Sequence, residues 1–130
     1  MNEETADAAT SEENKVEGQA NLLEQHKELL DRLRVKYDEI AIWPAPPRFG
    51  GIIVAAVPES PRVTEKFINE ANDPKIDKAI SMRNYALASV VHPDRETIQQ
   101  IFTRKPFLPA KIAARVSELA GAETNELGKD

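Results

Sequence analysis

Apolar residues first recur at helical spacing between residues 21 and 36. Leu22, His26, Leu29 and Leu33 stand four, three and four positions apart, and Leu23, Leu30 and Tyr37 widen the stripe. Asn21 precedes it as the expected N-cap. The period then changes to two: Ile40 and Ile42 alternate with Ala41 and Trp43, which predicts a short strand ended by Pro44-Ala45-Pro46-Pro47. Gly50-Gly51 permits a reversal, and residues 52–57 (Ile-Ile-Val-Ala-Ala-Val) predict a second strand that stops at Pro58 and pairs with the first as a hairpin.

The remainder reads as helices cut by proline. Ser60-Pro61 is a start signal, a capping side chain before proline at the first helical position. Val63, Phe67 and Ala71 follow at four-residue spacing until Asn72-Asp73-Pro74 interrupts them. Ile76, Ile80, Arg83, Leu87 and Val90 predict the next helix, with Ala79 and Ala86 alongside. Pro93 breaks it, and Asp94 is placed to cap a helix carrying Ile98, Ile101 and Phe102. Pro106 and Pro109 bound a stiff corner, and Leu108, Ile112, Val116 and Leu119 line a last helix closed by Gly121 as a left-handed stop. No one of these helices can bury its stripe alone, so a shared core is expected. The fold class is therefore α+β, mainly α: a long N-terminal helix, a short β-hairpin, then a compact bundle of about four short helices.

Charge divides the chain. Residues 1–18 hold six acids and one base, a net of minus five that equals the charge of the whole chain, so the remaining charges balance. This predicts a disordered acidic tail at 1–18, an amphipathic helix at 19–37, a single α+β domain at 38–122 and a polar tail at 123–130. A neutral body with an acidic arm has no electrostatic footprint for nucleic acid. No apolar run approaches the ~20 residues needed to span a bilayer, and the acidic start is unlike a signal peptide. The absence of cysteine removes disulfides and thiolate chemistry and fits a reducing cytoplasm. No nucleic-acid or membrane partner is expected.

Candidate chemistry is sparse. His26 lies on an apolar stripe with no second histidine or carboxylate cluster at ligand spacing, so it reads as a packed or half-exposed histidine and not a metal ligand. Pro44 to Pro47 matches a Pro-x-x-Pro ligand but also ends a strand, the simpler use. Nucleophilic catalysis needs a base and an orienting group around Ser, Thr or Cys, and with only His26 and His92 present no such set is found. No catalytic residue, cofactor or metal is expected, and the chain is read as a non-enzymatic binding protein. His92-Pro93-Asp94 is the tripeptide of J-domains, the Hsp70 co-chaperones, but Arg95 opens the next helix at once and leaves no loop to present it. A helix break and cap account for it more simply.

The run Val90 to Asp94, then Arg104 to Leu108, then Val116 to Gly121 resembles the C-terminal half of tail assembly chaperones of tailed bacteriophages. The upstream apolar β segment, Pro58, Phe67 and the alanine-rich stretch from Tyr85 to Ala88 fit as well, so the likeness covers about residues 38–122. His92 stands where an aromatic is commoner, and Phe107 where the corner usually has Gly. The resemblance implies a holdase that coats apolar helical segments of the tape-measure protein in the host cytoplasm, with the tail-tube protein a further partner, and that is absent from the mature virion. It also implies that a frameshifted extension would join after Gly121. The expected partner-binding residues are Leu22, Leu29, Leu33, Trp43 and Phe49, because the C-terminal stripes are assigned to the core; Ser60, Pro61, Pro93, Asp94, Pro106 and Gly121 are assigned to caps and breaks. Two alternatives stay open: a virion structural (connector or completion) protein, and a J-domain-like co-chaperone. Homo-oligomerisation through the first helix is also open.

Overall fold

The computed structural model of the chain describes residues 21–122; the acidic stretch 1–18 and the polar stretch 123–130 lie outside the described residues. The fold is mainly helical, with one small three-stranded antiparallel sheet. Residues 21–25 are helical, a turn at His26 interrupts them, and helix α1 runs Lys27–Tyr37. Asn21, expected as the cap, is itself helical. Asp38, with φ 62, sits in the left-handed region and closes α1, where a short polar side chain is tolerated.

Strand β1 is Ala41–Pro44 and β2 is Ile52–Ala55, joined through a 3₁₀ turn at Pro47–Phe49. They pair antiparallel with Ala41 opposite Ala55 and Pro44 opposite Ile52. Gly50 and Gly51 both have positive φ (99 and 79), which lets the chain reverse there. Helix α2 is Pro61–Ala71. Ser60 occupies its N-cap position, but its side chain makes no capping hydrogen bond. Helix α3 is Lys78–Ser89, and its start is fixed by the Asp77 carboxylate, which accepts from the N–H of Ala79 at 2.9 Å. Ile76, counted on the helical stripe from spacing, therefore lies in the preceding turn. Lys78 Nζ secures that turn by donating to the carbonyls of Glu70 and Asp73.

Val90–His92 corrects the sequence reading. It is strand β3, not the end of a helix, and it pairs antiparallel with β2 across an irregular register at Val54 and Ala55. The cause is local. Val90 and Val91 are β-branched, and Pro93 pushes the residue before it into extended backbone. The His92–Pro93 peptide bond is cis. Helix α4, Arg95–Arg104, begins at Asp94, whose carboxylate accepts from the Thr97 hydroxyl (2.6 Å) and backbone N–H (3.3 Å). Helix α5 is Leu108–Ser117, and one wider turn, Glu118–Ala122, follows it with Gly121 at φ 99.

The sheet, ordered β1-β2-β3, is covered on both faces. Ile53 and Ala55 of β2 join Tyr85, Ala86, Leu87, Ile98, Ile101, Phe102, Ile112, Ala113 and Val116 in the main core. Ile52 and Val54 point the other way and meet Leu30 of α1, with Leu22, Leu29, Leu33, Ile40, Ile42 and Val91 around them. Alternation along one strand thus feeds two cores, which explains why β2 is a continuous apolar run.

Helix α3 packs most extensively on α5 and on α2. It buries Ser81, Tyr85, Ala86, Leu87 and Ser89 and leaves Ile80 58% exposed, so its inward face is turned away from the Ile76–Ile80 stripe. Polar groups on the buried face are satisfied: Ser89 Oγ donates to the Tyr85 carbonyl (2.8 Å), Ser81 Oγ to Glu70 Oε1 (2.8 Å), and the hydroxyls of Thr64 and Tyr85 share a hydrogen bond (3.0 Å). The Tyr85 ring stacks on Phe67 with centroids 4.3 Å apart.

Candidate functional site

The corner between α4 and α5 has an unusual surface. Pro106 and Pro109 fix the backbone on either side of Phe107, and the Leu108 N–H donates to the Lys105 carbonyl at 3.1 Å. The corner holds the Phe107 ring outward, 80% exposed. A hollow of about 520 Å³ lies on one side, lined by Trp43, Pro44, Arg104, Lys105, Pro106, Phe107, Leu108 and Lys111. On the other side a hollow of about 410 Å³ is lined by Ala79, Ile80, Met82, Arg83, Phe102, Pro106, Phe107, Pro109 and Ala110. Pro106 and Phe107 belong to both, and Trp43 and Pro44 continue into a third hollow with Leu22, Leu23 and Ile42. The three form one apolar band, and among the described residues no Asp or Glu lines any part of it.

Of the five residues expected from the sequence, Leu22 and Trp43 line this band. Leu29 and Leu33 pack against the second core, on the face of the sheet covered by α1. Phe49 packs against the main core, with the Arg48 and Arg104 guanidinium groups 4.7 and 5.9 Å from its ring centroid. The band's principal exposed residues, Phe107 and Ile80, are not among the expected five. Phe107 belongs to no helical stripe. Its signal in the sequence is an aromatic residue held between two prolines, Pro106-Phe107-Leu108-Pro109.

A second cluster joins residues far apart in sequence. His26 and His92 both approach the Gly50–Gly51 reversal: a Cβ added to Gly51 would lie 3.4 Å from His26 Nε2, and one on Gly50 would lie 3.7 Å from His92 Nε2. His26 thus has a histidine neighbour that its sequence spacing does not reveal. Among the described residues no group of three or more His, Asp or Glu could hold a metal ion. Partial burial, and then the charge of His26, hold His92 below its ordinary value of 6.5 against the opposing pull of Asp94. Asp94 is held below its ordinary 3.8, first by the Thr97 hydroxyl and then by the Thr97 N–H.

Both shifts act in one direction. The unfolded chain takes up protons first, so each group contributes stability that is present above its ordinary value and lost as pH falls through its lower folded value. Thermal melts should therefore lose midpoint as pH falls from about 6.5, and again below about 3.8. His92→Gln should flatten the first decline alone; a first decline of unchanged slope would show that His92 is not its source.

Among the described residues no helix is long and apolar enough to cross a membrane. No protein-family model, curated protein or solved structure matches the chain.

Proposed function

We propose that this chain is a tail assembly chaperone of a tailed bacteriophage, a non-catalytic protein that shields apolar helical segments of the tape-measure protein. The observation that carries this reading is the open apolar band centred on Phe107. A helix with an exposed apolar stripe aggregates unless something covers it, and a groove with a projecting aromatic anchor is suited to do so. The resemblance of residues 38–122 to that family supplies the identity of the client. On this reading the protein acts in the host cytoplasm, with the tail-tube protein as a second partner, and is left out of the finished particle. The J-domain-like alternative gains no support. His92 lies in β3, Pro93 is buried, and Asp94 is engaged in capping α4.

Co-expression with the tape-measure protein should raise the soluble yield of that protein and give a complex that co-purifies. Phe107→Ser should weaken the complex about 30-fold, the effect of losing a central aromatic anchor worth roughly 2 kcal/mol, while the melting midpoint of the variant stays near that of the parent. No gain in client solubility would count against the chaperone reading. Stoichiometric amounts of the chain in purified particles would replace it with a structural role.

A further inference from the structure

We propose that the segment bound at the Phe107 band is acidic as well as apolar, its hydrophobic anchors flanked by carboxylates. This rests on the chaperone reading and assigns the chemistry of the client at the same surface.

The argument is one of charge complementarity. Four cations border the two hollows beside Phe107: Arg104, Lys105 and Lys111 on the Trp43 side and Arg83 on the Ile80 side. Among the described residues no carboxylate accompanies them there. The described ion pairs, Lys27–Asp31, Lys66–Glu70 and Arg115–Glu118, all lie elsewhere, and each joins residues three or four positions apart in sequence. Among the described residues none of the four cations has a carboxylate within salt-bridge distance. By contrast, the hollow beside α2 mixes Arg62 and Lys66 with Glu65, Glu70 and Asp73, and so favours neither sign.

A neutral occupant of the Phe107 band would partly desolvate these cations with no compensation, and a basic one would be repelled. Carboxylates on either side of an apolar stripe would reach them from both flanks of the ring. The stripe matches Ile80, Met82 and Leu108, aliphatic contacts that complement leucine-like side chains. The Phe107 ring and Trp43 would also serve a stacked base, so an oligonucleotide is the rival ligand to be tested.

Trp43, the single tryptophan of the chain, lines the groove and reports its occupancy by fluorescence. The full chain is titrated with three synthetic helical peptides that share one leucine stripe and carry Glu, Gln or Lys beside it. The Glu peptide should bind about 10-fold tighter than the Gln peptide, the sum of several exposed charge pairs, and the advantage should shrink as salt rises. Replacing Arg104, Lys105 and Lys111 together by Glu should reverse the order to favour the Lys peptide.

Equal binding of all three, lost on Phe107→Ser, would overturn the acidic preference and leave the groove reading intact. No binding by any of them would remove both. Tighter binding of a single-stranded oligonucleotide would assign the band to nucleic acid instead. If changing the acids of residues 1–18 to their amides raises affinity for the Glu peptide about 10-fold, the occupant is the chain's own acidic arm, and the proposal fails.

Discussion

Phe102→Ala should destabilise the protein by about 3–5 kcal/mol, the range for truncating a large buried aromatic residue. Phe102 is 2% exposed, on the inward side of α4, and belongs to the cluster that joins β2 to α3, α4 and α5. Its removal deletes the transfer free energy of a benzyl group and leaves a void that rigid neighbours cannot fill. Pro109 at the start of α5 and the antiparallel partners of β2 restrict how far the walls can move inward. The loss is a large part of the about 5–15 kcal/mol that holds a typical domain folded. Urea denaturation should show the midpoint falling at unchanged slope, with Phe102→Leu recovering much of the difference. A loss under about 1 kcal/mol, ordinary for a surface substitution, would mean that this side chain is not interior.

Leu30→Ala should cost about 2–5 kcal/mol, but with a different spatial pattern. Leu30 is the one residue of α1 that is fully buried, and it covers Ile52 and Val54 on the face of the sheet opposite the main core. The main core uses Ile53 and Ala55 from the same strand and does not depend on α1 for closure. The expected result in hydrogen exchange is early loss of protection over Lys27–Tyr37, with α3, α4 and α5 still protected. Uniform loss across all helices would show that the two faces of the sheet unfold as one unit.

Much of this architecture is readable from residue spacing. The triplet Ile98, Ile101 and Phe102 announces the buried face of α4, and all three side chains are buried. Asp94 announces the helix it caps, since a short carboxylate directly after the helix-breaking Pro93 has free N–H groups within reach. The readings that failed share one cause, competition between local pattern and distant partners. Val90 and Val91 continue a helical spacing on paper, but β2 offers them an unpaired edge. Ile80 outranks Ser81 in hydropathy, yet Ser81 faces inward because Glu70 accepts its hydroxyl. The approach of His26 to His92 has no local signature at all, because it depends on where β3 settles. Phe107 escapes the spacing argument for a related reason: a ring outside every stripe has no periodicity to give it away.

The sheet also limits how a peptide partner could be held. Its outer strands, β1 and β3, are only four and three residues long, and proline stands at the end of β1 and directly after β3. An extended peptide seeking to lengthen the ladder would find few backbone groups to bond before meeting an imino acid with no proton to give. On the proposed chaperone reading, recognition is thereby directed to side chains, and the short edges keep the protein from seeding a continuous intermolecular sheet with an aggregation-prone client.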